Sequence, residues 1–210
     1  SGSTGSPKFV KLTNKNIESN ASAICDVLDI RSFEVGCGHL PLHYSYGLSV
    51  LTSHLFSGAP IHITNKSFLD NSFWIQMKKW KIAHLPGVPF HYQTLRRFGF
   101  SNIDLPKLRV LTQAGGALDP KIRKMAHEFM DSIGGRFHVM YGQTEATARM
   151  TFFKTNDYLN KIGSIGRPIP GGNIVLSPSS EIVYSGRNVM MGYAENREEL
   201  NKGDVNKNVL

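Results

Sequence analysis

The chain has 210 residues, of which 40% are apolar and 19% charged, with a formal net charge of +8. That balance excludes a disordered chain, and no run of about 18 apolar residues is present to form a membrane span. Two cysteines, Cys25 and Cys37, are too few for a disulfide framework or a four-cysteine zinc site and read as reduced thiols in a cytoplasmic protein.

Phe9–Leu12 reads as a short strand. Asn14 is placed to cap a helix in which Ile17, Ala21, Ile24 and Leu28 recur at helical spacing. Gly36–Leu42 reads as a strand leaving into a loop, Leu48–Phe56 as a second helix stopped by Gly58, and Pro60–Ile63 as a strand. Ser67 is placed to cap a third helix with Leu69, Phe73, Met77 and Trp80 facing inward. Ile82–Leu85 is a strand, and a short helix follows Pro89. Leu108–Leu111 is a strand ending in Gly115-Gly116. Asp119-Pro120 is a helix start; Ile122, Met125, Phe129 and Ile133 repeat along that helix, and Gly134-Gly135 ends it. Phe137–Met140 is the next strand. The alternation of strand and helix predicts an α/β fold with a largely parallel sheet covered by helices over residues 1–150. Short strands at Arg149–Phe153, Asn173–Leu176 and Glu181–Tyr184 predict a small antiparallel β subdomain over 151–195. Residues 196–210 are a polar tail, with Gly203-Asp204 as a turn.

The charge is uneven. Residues 73–154 hold 13 Lys/Arg and 5 Asp/Glu, and the remainder is neutral. The basic groups Lys78-Lys79-Lys81, Arg96-Arg97 and Lys121-Arg123-Lys124 lie within helical patterns and read as solvent faces. No zinc-finger, RNP or homeodomain pattern accompanies them, so nucleic-acid binding lacks a motif; a basic nucleic-acid binder and a non-catalytic nucleotide-binding module are the alternatives to an enzyme.

Three segments carry chemistry. Ser1-Gly2-Ser3-Thr4-Gly5-Ser6-Pro7-Lys8 offers small residues whose N–H and hydroxyl groups suit a polyanion, with a lysine at the end. It is not a Walker A loop, because Pro7 precedes the lysine and a strand follows. Gln113–Leu118 leaves a strand through Gly115-Gly116-Ala117, where a base or ribose can approach the backbone. Tyr141-Gly142-Gln143-Thr144-Glu145 sits at a strand's carboxyl end, where α/β sheets bind ligands. The tyrosine offers a flat face for a base, and the hydroxyl and carboxylate suit a phosphate and its Mg²⁺.

In this order the segments resemble the adenylate-forming (AMP-binding) enzymes, of acyl-CoA synthetase type. Leu40–Gly47 is similar to that family's Pro-x-Phe-His-x-x-Gly segment, Gly163–Gly171 to its Gly-x-x-Gly-x-Pro turn, and Glu181–Tyr193 to the stretch that follows. The resemblance implies ATP-dependent activation of a carboxylic acid to an acyl-adenylate with release of pyrophosphate. Transfer to a thiol follows, that of coenzyme A or of a carrier protein. It implies ATP binding by Ser1, Gly2, Ser3, Thr4, Gly5, Lys8, Gly115, Gly116, Ala117, Tyr141, Gly142, Gln143 and Thr144. Thr4, Lys8, Thr144 and Glu145 would be catalytic, with Glu145 and Thr4 toward Mg²⁺. An acyl pocket is expected from His43, Tyr44, Gly87, Val88, Val139 and Met140, and the basic middle segment has a use near ATP and coenzyme A on this resemblance, solvated helix faces explaining it equally well. Position by position, the family histidine is replaced by Tyr44, with His43 one residue earlier. The family's Thr-Gly-Asp motif and its lysine-bearing C-terminal domain have no counterpart here, so the chain reads as an internal fragment of a longer enzyme, inactive alone.

Overall fold

The computed structural model describes residues 8–153, 161 and 163–210. Among these, the largest sheet has seven strands in the order β3-β2-β4-β5-β6-β7-β8. They are β2 (Val35–Gly38), β3 (Ile61–Ile63), β4 (Ile82–Gly87), β5 (Val110–Gln113), β6 (Arg136–Tyr141), β7 (Thr151–Phe152) and β8 (Arg167–Pro168). Strands β2 to β6 run parallel, and β7 and β8 follow antiparallel. The expected strand over Arg149–Phe153 thus extends the large sheet. A hairpin of β9 (Gly172–Leu176) and β10 (Ile182–Gly186) forms a separate ladder, and β1 (Phe9–Lys11) pairs antiparallel with β11 (Gly192–Ala194).

Helices cover both faces of the sheet, as the period of two in its strands requires. Val110, Met140 and Phe152 pack with α1 (Asn14–Leu28) and α2 (Ser45–Phe56). Their neighbours Leu111, Val139 and Phe153 point the other way, into a core with α3 (Asn71–Lys79), α4 (Pro89–Phe98) and α5 (Pro120–Ser132). Each fully buried side chain of this size stabilises the fold by about 1.5–3 kcal/mol.

Several local expectations shift. Helix α1 is capped by Thr13 rather than Asn14, because Thr13 Oγ1 accepts from the Asn16 N–H while Asn16 Oδ1 accepts from the Thr13 N–H, a reciprocal capping box. Helix α3 starts after Asp70, since Ser67 and Asp70 first close a turn of their own. This shortens the helix, so Phe73 and Met77 are buried as expected while Leu69 and Trp80, just outside it, are exposed. In α5, Asp119 caps as expected, accepting from the Lys121 and Ile122 N–H groups. Its inward face is Ile122, Ala126 and Met130, with Met125 and Ile133 exposed. The tail is tied back: Leu210 exchanges backbone hydrogen bonds of 2.7 and 2.8 Å with Tyr184. Gly203-Asp204 is a turn, Asp204 Oδ1 accepting from the N–H groups of Asn206 and Lys207. Cys25 and Cys37 are free, and burial pushes the Cys37 thiol up to about 12. No helix among the described residues is long and apolar enough to cross a membrane.

Two buried polar features tie the layers together. Arg149, 1% exposed, follows the site-bearing loop and reaches into the α2 layer. Its Nε donates to Ser49 Oγ at 2.8 Å, and its Nη2 to Ser49 O at 2.7 Å and Ser53 Oγ at 3.0 Å. Its guanidinium lies 5.8 Å from the Tyr46 ring centroid. Burial lowers its pKa to about 10, so it remains a cation inside the fold. At the opposite edge, Glu34 accepts from Arg109 and pairs with His84. Burial alone would raise its pKa; hydrogen bonds from Arg109 and His84 instead hold it at about 2.

Truncating Arg149 to Ala removes its hydrogen bonds to Ser49 and Ser53 and opens a cavity, so a loss of about 3 kcal/mol or more is expected, read as a lower urea midpoint. A midpoint equal to the parent's would remove Arg149 from this role.

Burial also holds four histidines neutral: His39 at about 3 and His54, His84 and His91 at about 4, all below the usual 6.5. The unfolded chain therefore takes up these protons first. Stability should be level above about pH 7 and fall between about 6.5 and 4, each histidine contributing up to about 1.4 kcal/mol per pH unit. The Glu34 contribution is lost only lower, as the pH falls from 4.5 towards about 2. Urea midpoints measured from pH 8 to 4 test this, and a flat profile would contradict it.

Candidate active site

Strands β2, β4, β5 and β6 run parallel and so end at one edge of the sheet, at Gly38, Gly87, Gln113 and Tyr141. A cavity of about 570 Å³ opens at that edge. Its walls include Tyr44 and Ser45 at the start of α2, Gly115 after β5, Thr144 and Glu145 after β6, and Tyr193 on β11.

The β5 exit is shaped by Gly115, at φ +81°; a Cβ there would both strain the left-handed backbone and collide with the Tyr44 hydroxyl. Buried Gln113 donates from Nε2 to the Gly116 carbonyl at 2.8 Å and closes the loop. At the β6 exit, a Cβ on Gly142 would overlap the Ala148 carbonyl. The 3₁₀ turn Thr144–Ala146 follows, then Thr147 and Ala148 with φ of 55° and 81°. This loop is anchored from behind. Asn188 donates from Nδ2 to Ala146 O at 2.7 Å, Thr147 Oγ1 donates to Asn188 O at 2.6 Å, and the Met190 N–H donates to Glu145 O at 2.7 Å.

The polar side chains converge from separate elements. Thr144 Oγ1 and Ser45 Oγ share a hydrogen bond at 3.0 Å. The Glu145 carboxylate, 7% exposed, accepts from the Tyr193 hydroxyl at 2.8 Å. Burial, together with that carboxylate, raises the Tyr193 pKa above its usual 10. Lys8 Nζ lies 5.5 Å from the Tyr193 ring centroid. Burial also raises the Tyr44 pKa, so its hydroxyl is a neutral donor at physiological pH. Glu145, Thr144 and Ser45 supply the hard oxygen donors that suit Mg²⁺, and a glycine-walled cavity beside them admits a nucleotide's base or ribose.

Of the residues expected from sequence, Tyr44, Gly115, Gly142, Gln143, Thr144 and Glu145 line this cavity. Gly116, Ala117 and Tyr141 are exposed beside it and are not part of its lining. His43 is exposed and lines a smaller adjoining space of about 240 Å³, which also touches Tyr44, Ser45 and Thr144. Gly87, Val139 and Met140 are buried in their strands, and half-buried Val88 packs with the α1–α2 core. The expected acyl pocket therefore meets the cavity only at Tyr44. Ser1, Gly2, Ser3, Thr4 and Gly5 lie outside the described residues. Sequence reasoning missed Ser45 and Tyr193 as site residues. Ser45 stands beside Tyr44 in a segment already singled out; Tyr193 reaches the site through the register that places it opposite Val10.

Oxalate–CoA ligase of Arabidopsis thaliana is 30% identical, over 96% of this chain and 41% of the ligase. A feruloyl-CoA synthase of Amycolatopsis sp. is 31% identical, over 92% and 41%. Among solved structures, o-succinylbenzoate CoA synthetase of Bacillus subtilis, in complex with its acyl-adenylate intermediate, superposes with a TM-score of 0.83 at 20% identity. That match covers 100% of this chain and 44% of the synthetase. The N-terminal domain of FACL13 from Mycobacterium tuberculosis gives 0.79 at 19% identity, covering 94% and 52%. The chain spans less than half the length of the curated relatives it matches. The AMP-binding enzyme family matches residues 1–194, and the chain belongs to that family.

Proposed function

We propose that this segment forms the nucleotide-binding part of an enzyme that activates a carboxylic acid with ATP and passes the acyl group to a thiol, that of coenzyme A or of a carrier protein. The observation that carries this reading is the convergence of the Glu145 carboxylate, the Thr144 hydroxyl and the Gly115 loop on one 570 Å³ cavity at the carboxyl edge of a parallel sheet. Relatives named for CoA ligation of oxalate and ferulate support the reaction class.

In the first half-reaction a carboxylate oxygen of the acid attacks the α-phosphorus of ATP. The bond from the α-phosphorus to the bridging oxygen breaks, and pyrophosphate carries away the electron pair. In the second, a thiolate attacks the acyl carbonyl and AMP leaves. Two anions must be held together while negative charge builds on the phosphate oxygens, so positioning and charge stabilisation are the main tasks. The Thr144 hydroxyl would donate to the α-phosphate. Lys8, with the Ser1–Gly5 loop, would hold the outer phosphates and let them go as pyrophosphate. Tyr141, at the strand end, offers its exposed ring to adenine, with Gly115–Ala117 along the other edge. Glu145 would hold Mg²⁺, which when bound neutralises phosphate charge. Tyr44 would donate at the position where the family segment that Leu40–Gly47 resembles has histidine.

Replacing Glu145 with Gln in the enzyme at its full natural length should reduce ATP–pyrophosphate exchange by about 10²-fold or more without changing the thermal midpoint. Exchange at the parental rate would refute the assignment of Glu145.

A further inference from the structure

We infer that Tyr193 is a positioning residue for this site, its hydroxyl orienting the Glu145 carboxylate and its ring seating Lys8. The inference rests on the reading of Glu145 as the Mg²⁺ carboxylate and goes beyond it. Three observations carry it. The Tyr193 hydroxyl donates to Glu145 Oε1 at 2.8 Å, which fixes the torsion of a side chain whose backbone is already held by Met190. The Lys8 ammonium lies 5.5 Å from the centroid of the same ring, a cation–π distance. And β1 pairs with β11 in a register that sets Tyr193 opposite Val10, two residues from Lys8. One side chain therefore touches both the lysine that ends the phosphate loop and the acidic residue after β6. Tyr193 itself lines the cavity.

The hydroxyl and the ring have separable duties. With one carboxylate oxygen engaged by the phenol, Glu145 has one preferred orientation toward the cavity. Without the hydroxyl the carboxylate samples other torsions, and metal affinity falls, as for other groups that orient metal ligands. The ring is a flat apolar platform that limits where the Lys8 ammonium goes. Removing it takes away that contact, which weakens the grip on phosphate whether or not metal is present.

The test uses Mn²⁺ as the probe, its free concentration read by electron paramagnetic resonance with ATP present, alongside ATP affinity measured without metal by calorimetry. Tyr193→Phe removes the hydroxyl and keeps the ring. It should weaken Mn²⁺ binding by about tenfold and leave metal-free ATP affinity and the thermal midpoint unchanged. Tyr193→Leu should weaken both affinities. Parental or tighter Mn²⁺ binding by Tyr193→Phe would overturn the inference, since the hydroxyl would then be idle or a competitor of the metal. An equal loss of metal-free ATP affinity in Tyr193→Phe would overturn it too, as general damage to the site. Glu145→Gln separates the two claims: parental Mn²⁺ binding there overturns the reading of Glu145 itself. A loss in Glu145→Gln without one in Tyr193→Phe leaves that reading standing and removes the role of Tyr193.

Discussion

Between Tyr141 and Thr151 the backbone turns back on itself with Gly142 pressed against the Ala148 carbonyl, a contact that leaves no room for a side chain. The turn also places Thr147 and Ala148 in the left-handed region, at about 1–3 kcal/mol each for residues with a Cβ. Such a loop persists only where its surroundings over-determine it. Here Asn188 and Met190 bind its carbonyls from behind, and Arg149 fastens its outgoing end to Ser49 and Ser53 of α2. Thr144 and Glu145 sit at the crest, so the strain and its anchors hold the two side chains that face the cavity.

The same reversal changes the sheet. Strands up to β6 arrive in parallel, each leaving its carboxyl end at one edge, and β7 is the first to return. The cavity lies where that change occurs. Its floor comes from parallel strand exits and its far wall from β11, which reaches the site by pairing with β1. The beginning and the later part of the chain are thus joined beside the acidic residue of the middle, and a local distortion in any of the three would displace the others.

Much of this was legible in the sequence, for reasons that also explain what was not. Alternating strand and helix patterns gave the α/β order, because period and punctuation are local properties. Tyr141–Glu145 and Gly115 were legible as motifs because tight strand exits draw on glycine and short polar side chains. The caps were less so: Thr13 and Asn14 are both competent N-caps, and the choice rests on the partner Asn16. The inward faces of α3 and α5 were misjudged at Leu69, Trp80, Met125 and Ile133, which are exposed: Leu69, Trp80 and Ile133 stand just outside the helices, and Met125 lies on the outer face of α5. Ser45 and Tyr193 carry no motif of their own. Their place at the site comes from a helix start and a strand register, which no short window of sequence contains.

The positive charge illustrates the same distinction between amount and location. The excess in residues 73–154 suggested a reserve of cations near a polyanionic ligand. Several of these cations have other places in the fold. Arg109 and Arg136 stand at the beginnings of β5 and β6, at the edge opposite the cavity, where both pair with Asp29 and Arg109 also with Glu34. Arg149 is buried as a structural cation, Arg123 donates to the Ser164 carbonyl, and Lys78 meets Asp104 on the surface. Arg96 and Arg97 lie exposed on α4. Lys8, from a part of the chain with no net charge, instead lies against the ring of Tyr193, whose hydroxyl donates to Glu145, carried there by β1. Net charge governs long-range attraction and solubility; where a given cation stands is decided by strand pairing.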